Sequence, residues 1–277
     1  MTIFAQSKRF MKKVVFITGA SGGMGKVTGE LLLESGYAVY GTSRTPERFP
    51  NHPFPLLPMD LENEESIGQA VRMLLDREGR VDILINNAGR GMMGPLEHTP
   101  VETVKRLFQT NVFGALYLTN ALIPVMRRQG KGLIINVSSV AGFLGLPYRG
   151  VYSATKAAVM IFSEAYRYEL KKSGIRVVDL CPGDFKSGIA SRRIPVEVEK
   201  TSPHYEDFQR ISRGADQGVA GGLATRVLAE KIKDIIRNES PSPRYIVAPF
   251  TQKILHTVKA LLPGKWFEKI ILKYHKL

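Results

Sequence analysis

The chain has 277 residues, 44% hydrophobic and 23% charged, a balance that suits one large α/β domain and excludes a disordered polymer. Lys and Arg (39) exceed Asp and Glu (25) by 14, a surplus that fits nucleic acid, anionic lipid, an anionic ligand or solubility alone. A single cysteine, Cys181, excludes an intrachain disulfide and a cysteine metal centre, so a cytoplasmic setting and no metal are expected.

The start, MTIFAQSKRFMKK, is basic but lacks the apolar core and small-residue cleavage site of a secretory signal. No run approaches the ~18 apolar residues needed to span a bilayer. Residues 12–18 (KKVVFIT) form an apolar, β-branched run that ends in GASGGMG and passes into the helical pattern KVTGELLLESG. Strand, glycine turn and helix in that order open a nucleotide-binding βαβ unit. Gly19, Gly23 and Gly25 let the backbone approach a pyrophosphate, with Ser21 and Met24 between them, and the helix N-terminus receives its charge.

A second strand, residues 37–43, ends in Ser43-Arg44. An acid near this point would bind the ribose 2′-hydroxyl of NAD; Arg44 stands there instead, and its guanidinium matches the 2′-phosphate of NADP, with Arg48 as a helper. The alternative is a solvated loop arginine. A third strand, residues 54–59, delivers Asp60 and Leu61 to the ligand end of the sheet. Asp60 is suited to accept from an adenine amino group, or to cap the helix that begins near Asn63.

A fourth strand, residues 81–85, ends in Asn86, Asn87, Ala88 and Gly89, a small-residue loop with room for a cofactor ribose. Helical sequence over residues 100–128 carries Asn111 at its middle, a poor interior residue whose presence suggests a local task. The fifth strand delivers Ser138 and Ser139; the sixth, residues 175–180, meets a Pro182-Gly183 turn; residues 244–248 read as the seventh. The alternation predicts a parallel sheet covered on both faces. Residues 184–218 interrupt it and read as a mobile lid or substrate loop.

Between the fifth and sixth strands lies VYSATK, residues 151–156. Tyr152 and Lys156 are one helical turn apart, so their heads converge if the segment is helical. A nearby ammonium is expected to lower the phenol from ~10, making Tyr152 a usable general acid/base. A chance pair on a helix surface is the rival reading.

Together, TGASGGMG (18–25), NNAG (86–89), Asn111, Ser139, YSATK (152–156) and PG (182, 183) resemble the short-chain dehydrogenase/reductase family over about residues 12–250. The resemblance implies a Rossmann-type doubly wound sheet of about seven strands, spanning residues 1–250, and a catalytic tetrad of Asn111, Ser139, Tyr152 and Lys156. In that scheme Tyr152 transfers the proton, Lys156 holds the nicotinamide ribose and depresses the phenol, Ser139 binds the substrate oxygen, and Asn111 holds a water. Ser187 stands where the family has a threonine, and a carboxamide contact there is expected. Homo-oligomers, dimers or tetramers, are common in the family.

Residues 252–277 hold six lysines against one acid, Glu268, interleaved with Trp266, Phe267, Ile270, Ile271 and Leu272. This basic amphipathic extension (251–277) suits peripheral contact with the inner face of a membrane, or packing on the sheet or a second subunit. The expectation is an NADP(H)-dependent oxidoreductase acting on a carbonyl or alcohol of a bulky apolar molecule: steroid-like, retinoid-like or a 3-keto lipid such as ketosphinganine. The alternative is a catalytically silent NADP-binding regulator. Nucleic-acid binding has no supporting motif.

Overall fold

The computed structural model describes residues 12–277, and the basic stretch before them lies outside the described residues. Seven parallel strands form one sheet in the order β3-β2-β1-β4-β5-β6-β7. They are β1 (Val14–Ile17), β2 (Ala38–Ser43), β3 (Leu56–Pro58), β4 (Ile83–Asn86), β5 (Gly132–Val137), β6 (Ile175–Pro182) and β7 (Arg244–Val247). This is the Rossmann-type architecture expected. The order reverses between β1 and β4, and a crevice opens there at the carboxyl ends of the strands, where open α/β sheets bind ligands.

Every residue of β1, β4 and β5 is buried, because helices cover both faces. On one face Phe16, Leu84 and Ile134 pack with Ile67 and Leu74 of α2 (Glu64–Glu78) and Leu118 and Leu122 of α4 (Gly114–Arg128). On the other, Val15, Ile85 and Ile135 meet Leu32 of α1 (Gly23–Glu34) and Leu228 and Ile232 of α7 (Thr225–Arg237). Asp82, buried at the opposite end, accepts from the Val14 amide at 2.8 Å and pairs with Arg80, joining the starts of β1 and β4.

The structure revises four local expectations. The third strand is shorter than residues 54–59, since Phe54 turns inward against Gly29 of α1, where an added Cβ would lie 2.2 Å from its ring. The sixth runs through Pro182, whose missing N–H costs no ladder bond. The helix over residues 100–128 is broken into α3 (Val101–Phe108), a π turn (Gln109–Phe113) and α4, with Asn111 inside the turn. Residues 184–218 are not all loop: they enter α6 (Tyr205–Gly221), whose Ile211 and Val219 are buried.

Catalytic-end geometry is carried by α5 (Gly150–Glu169), and two further helices, α8 (Phe250–Leu261) and α9 (Gly264–His275), follow β7. Among the described residues no helix is long and apolar enough to cross a membrane.

Candidate active site

A cavity of about 1360 Å³ opens over the strand ends. One half is floored by the turn after β1. Gly19 has φ +64° and its added Cβ would meet Ala88 at 2.9 Å, so the turn requires glycine. Gly19, Ser21 and Met24 line the cavity; Gly23 and Gly25 do not. Gly25 is a packing residue instead: an added Cβ would come within 2.7 Å of both the Gly19 carbonyl and Asn87 Nδ2. No side chain caps the first turn of α1, whose Met24 borders this half, and its free amides are suited to a pyrophosphate.

Thr18 and Asn87 lock the turn to the loop after β4. Thr18 Oγ1 accepts from the amides of Asn87 and Ala88 at 3.0 and 2.9 Å, while Asn87 Nδ2 donates to the Thr18 carbonyl at 2.9 Å. The side chain of Asn87 is thus committed to structure, although the residue borders the cavity with Ala88 and Gly89. Thr18 stands in the TGASGGMG motif, but its tie to the loop after β4 has no local sequence signal.

Ser43, Arg44, Asp60 and Leu61 form the far wall. Asn63, not Asp60, caps α2, its side chain accepting from the Ser66 amide at 2.9 Å. Asp60 Oδ1 accepts from the Glu62 amide at 3.0 Å, so the carboxylate is held at the rim. Arg44 is exposed there. Arg90, which the sequence reading missed, borders the same space, and burial first, then the charges of Arg106 and Arg44, hold its guanidinium below the usual range. Such crowding of cations favours an anion in this wall.

The second half gathers the candidate catalytic side chains. Tyr152, Lys156 and Ser139 all line the cavity. Tyr152 and Lys156 sit one turn apart on α5, with Nζ 5.9 Å from the centre of the phenol ring. Lys156 is 5% exposed and donates to the Val137 carbonyl at 2.9 Å. Burial lowers the ammonium to about 8, against the raising charges of Asp179 and Cys181. Ser139 accepts from the Ala141 amide at 3.2 Å and donates to the Pro182 carbonyl at 3.4 Å, which fixes it above the ends of β5 and β6.

The phenol departs from expectation in sign. Burial raises Tyr152 above the ordinary tyrosine value; the Ser139 hydrogen bond and the charges of Arg149 and Arg193 lower it, and Asp184 adds to the rise. Desolvation outweighs the favourable neighbours, because a phenolate loses more hydration than they return. The resting side chain is therefore a protonated donor.

Asn111 is absent from the cavity wall and 2% exposed. Its Oδ1 accepts from the Arg90 amide at 2.8 Å, and Nδ2 donates to the Arg90 carbonyl at 2.9 Å and to Thr155 Oγ1 at 3.2 Å. It thus ties the loop after β4 to the catalytic helix. An added Cβ on Gly89 would lie 3.3 Å from Asn111 Oδ1 and 3.4 Å from Lys156 Nζ, so the two flank one small residue.

Pro182, Gly183 and Ser187 border the cavity where β6 ends. Beyond them Gln252 of α8 accepts from the Asp184 amide at 3.0 Å and donates to Asp184 Oδ2 at 2.7 Å, an anchor with no local sequence signal. The substrate side is closed by Ile211 and Val219 of α6, Leu255 of α8 and Ile270, Ile271 and Tyr274 of α9. The tail therefore packs over the mouth, with Arg210 donating to the Lys276 carbonyl at 2.9 Å, while Phe250, Leu261, Trp266 and Tyr274 stay two-thirds or more exposed.

The family model for short chain dehydrogenase matches residues 13–196. A 3-ketodihydrosphingosine reductase of Bacteroides thetaiotaomicron is 38% identical over 92% of this chain and 95% of its own length. An NADPH-dependent 3-dehydrocapnine reductase of Ornithobacterium rhinotracheale is 30% identical over 93% and 95%. The crystal structure of a short-chain dehydrogenase from Streptomyces avermitilis superposes with a TM-score of 0.76 at 31% identity, covering 94% of this chain and 97% of that one. Matches that run from the first strand past Tyr152 agree with the geometry on one point: the chain belongs to the short-chain dehydrogenase family of oxidoreductases.

Proposed function

We propose that the protein is an NADPH-dependent reductase of a ketone on a long-chain or similarly bulky apolar molecule, with a 3-keto lipid favoured over a steroid-like or retinoid-like carbonyl. The observation that carries it is the convergence of Tyr152, Lys156 and Ser139 on a cavity whose outer half is walled by Ile211, Val219, Leu255, Ile270 and Ile271. The names of the two curated relatives, both reductases of keto compounds, support the same class.

A reduced nicotinamide, when bound, supplies the hydride. The residues fit such a group: the α1 amides suit its pyrophosphate, Arg44 beside Arg90 suits a 2′-phosphate, Asp60 suits an adenine amino group, and Lys156 suits the ribose near Gly89. Ser187 and the Pro182-Gly183 turn suit its carboxamide.

Ser139 donates to the substrate oxygen and stabilises charge as it grows. Tyr152 gives up its proton to that oxygen, and its raised affinity in the resting site keeps the proton available at neutral pH. Lys156 stays mostly charged below about pH 8, and its ammonium stabilises the phenolate left when Tyr152 passes its proton to the substrate oxygen. Asn111 acts one step back, holding Arg90 and Thr155 in register.

Peripheral membrane contact belongs to the same reading, because the exposed Phe250, Leu261, Trp266 and Tyr274 are interleaved with lysines beside the cavity mouth. Exposed Tyr117, Ile161, Phe162 and Tyr168 on α4 and α5 suit pairing into a dimer or tetramer. The test is oxidation of NADPH and of NADH with a panel of ketosphinganine, steroid and retinoid carbonyls. Turnover of the lipid with NADPH is expected, and no turnover of any member of the panel would remove the reading.

A further inference from the structure

We infer that Glu97, His98 and His204 form a binding site for a divalent transition ion of the zinc class, which clasps helix α6 to the body of the fold. Glu97 and His98 lie in the short turn Leu96–His98, and His204 immediately precedes α6. Their donor atoms all lie within 4.8 Å of one another. Both imidazoles converge on a single carboxylate oxygen: His204 Nε2 is 2.8 Å and His98 Nε2 is 3.3 Å from Glu97 Oε1.

Zinc bonds of about 2.0–2.2 Å to nitrogen and oxygen place neighbouring tetrahedral ligands ~3.4 Å apart. The 3.3 Å separation already matches, and the partly exposed side chains can rotate to open the 2.8 Å contact and set the third. Two imidazoles and one carboxylate select Zn²⁺, Co²⁺, Ni²⁺ or Cu²⁺ over Mg²⁺ or Ca²⁺, which prefer all-oxygen cages. Ser202 Oγ, 3.4 Å from His98 Nε2, or a water can complete the shell.

The surroundings resemble a supported metal centre more than a chance ion pair. The outer nitrogen of His204, Nδ1, faces the Tyr148 hydroxyl at 3.4 Å, the partner a ligating imidazole uses to fix its ring. Tyr148 itself adopts φ +57°, a strained backbone for a tyrosine, and its ring meets both His204 and Phe208 edge-on.

The consequence lies in what the three ligands connect. The Tyr148 carbonyl accepts from the Gly94 amide at 2.8 Å, and Leu96 abuts Gly150, the first residue of the helix that carries Tyr152. His204 leads into α6, whose Ile211 and Val219 wall the substrate half of the cavity. An ion here joins the lid helix to the entry of the catalytic helix. The inference is independent of which substrate the cavity takes.

The test uses untagged full-length protein titrated with Co²⁺, whose visible absorption reports low-symmetry coordination, and then with competing Zn²⁺. One equivalent is expected to bind, and His98→Gln and His204→Gln are each expected to weaken Zn²⁺ by tenfold or more. His256→Gln, a histidine stacked on Phe143 outside the cluster, is expected to leave the affinity unchanged. Zn²⁺ is also expected to slow hydrogen exchange in α6 of the parent and not of His98→Gln. Absence of stoichiometric binding, or an affinity and exchange pattern identical in the parent and both cluster variants, would overturn the proposal.

Discussion

The two halves of the cavity are built by different means. The half beneath the glycine turn is held by ties between neighbouring strand ends, such as Thr18 to Asn87 and Ala88, all in buried or half-buried surroundings. The other half is assembled from α6, α8 and α9, tied by helix-to-loop contacts such as Gln252 to Asp184 and Arg210 to the Lys276 carbonyl. One half is anchored on the ends of adjacent sheet strands, the other on helices that follow β6 and β7. A site built this way presents one cofactor geometry and an adjustable substrate wall.

The largest effect that separates the halves is chemical. Tyr152→Phe removes the proton donor and is expected to lower turnover by about 10³-fold while leaving the dissociation constant for NADPH within twofold, as measured by fluorescence titration. Normal turnover in that variant would mean that the proton comes from elsewhere. Arg44→Asp acts only on the cofactor half. Loss of a charge-assisted contact is expected to cut the NADPH-to-NADH preference by roughly 30-fold, with the substrate KM unchanged. An unchanged ratio would show that Arg44 lies in solvent.

Lys156 tests the boundary between the halves, and it does so in two directions at once. Holding the ammonium at about 8 rather than 10.5 costs the fold about 3 kcal/mol at neutral pH, at ~1.4 kcal/mol per unit. Lys156→Met relieves that cost but strands the Val137 carbonyl at about 1–2 kcal/mol, so a net gain of about 1–2 kcal/mol is expected with activity lost. The penalty is complete below about pH 8 and fades as pH rises toward 10.5, so the melting-temperature gap between variant and parent should shrink at pH 10. In the parent, the reduction rate should fall as pH rises through about 8, where Lys156 gives up its proton.

These contrasts explain what could be read from the chain. The glycine turn, the Tyr152-Lys156 turn and Ser139 were legible because each is marked by a short sequence pattern and by chemistry that tolerates few side chains, although the contact that makes Gly19 obligatory, Ala88, lies far along the chain. Asn111 was conspicuous in a helix, but its grip on the backbone of Arg90 belongs to a π turn that no local pattern announces. The direction of the Tyr152 shift was misjudged for a related reason: a neighbouring ammonium is visible in the sequence, but burial is a property of the packed cavity. Helix α6 was missed because its apolar face is narrow and its polar residues are mixed in sign, so Ile211 and Val219 alone record that it is covered.

The smallest expected effect probes the least legible feature. Gln252 joins α8 to the end of β6 through two hydrogen bonds to Asp184, and an added Cβ on Gly183 would lie 2.2 Å from its Oε1, so the three residues are packed as well as bonded. Gln252→Ala leaves the Asp184 amide without an acceptor, at about 1–2 kcal/mol, and a fall in melting temperature of about 2–6 °C is expected. Because Asp184 raises Tyr152, a carboxylate freed to reorient should also shift the pH at which the phenol ionises, read by ultraviolet titration, while NADPH affinity stays within twofold. If NADPH affinity fell as far as the substrate KM rose, α8 would belong to the cofactor half, and the division drawn between the two walls would have to be moved.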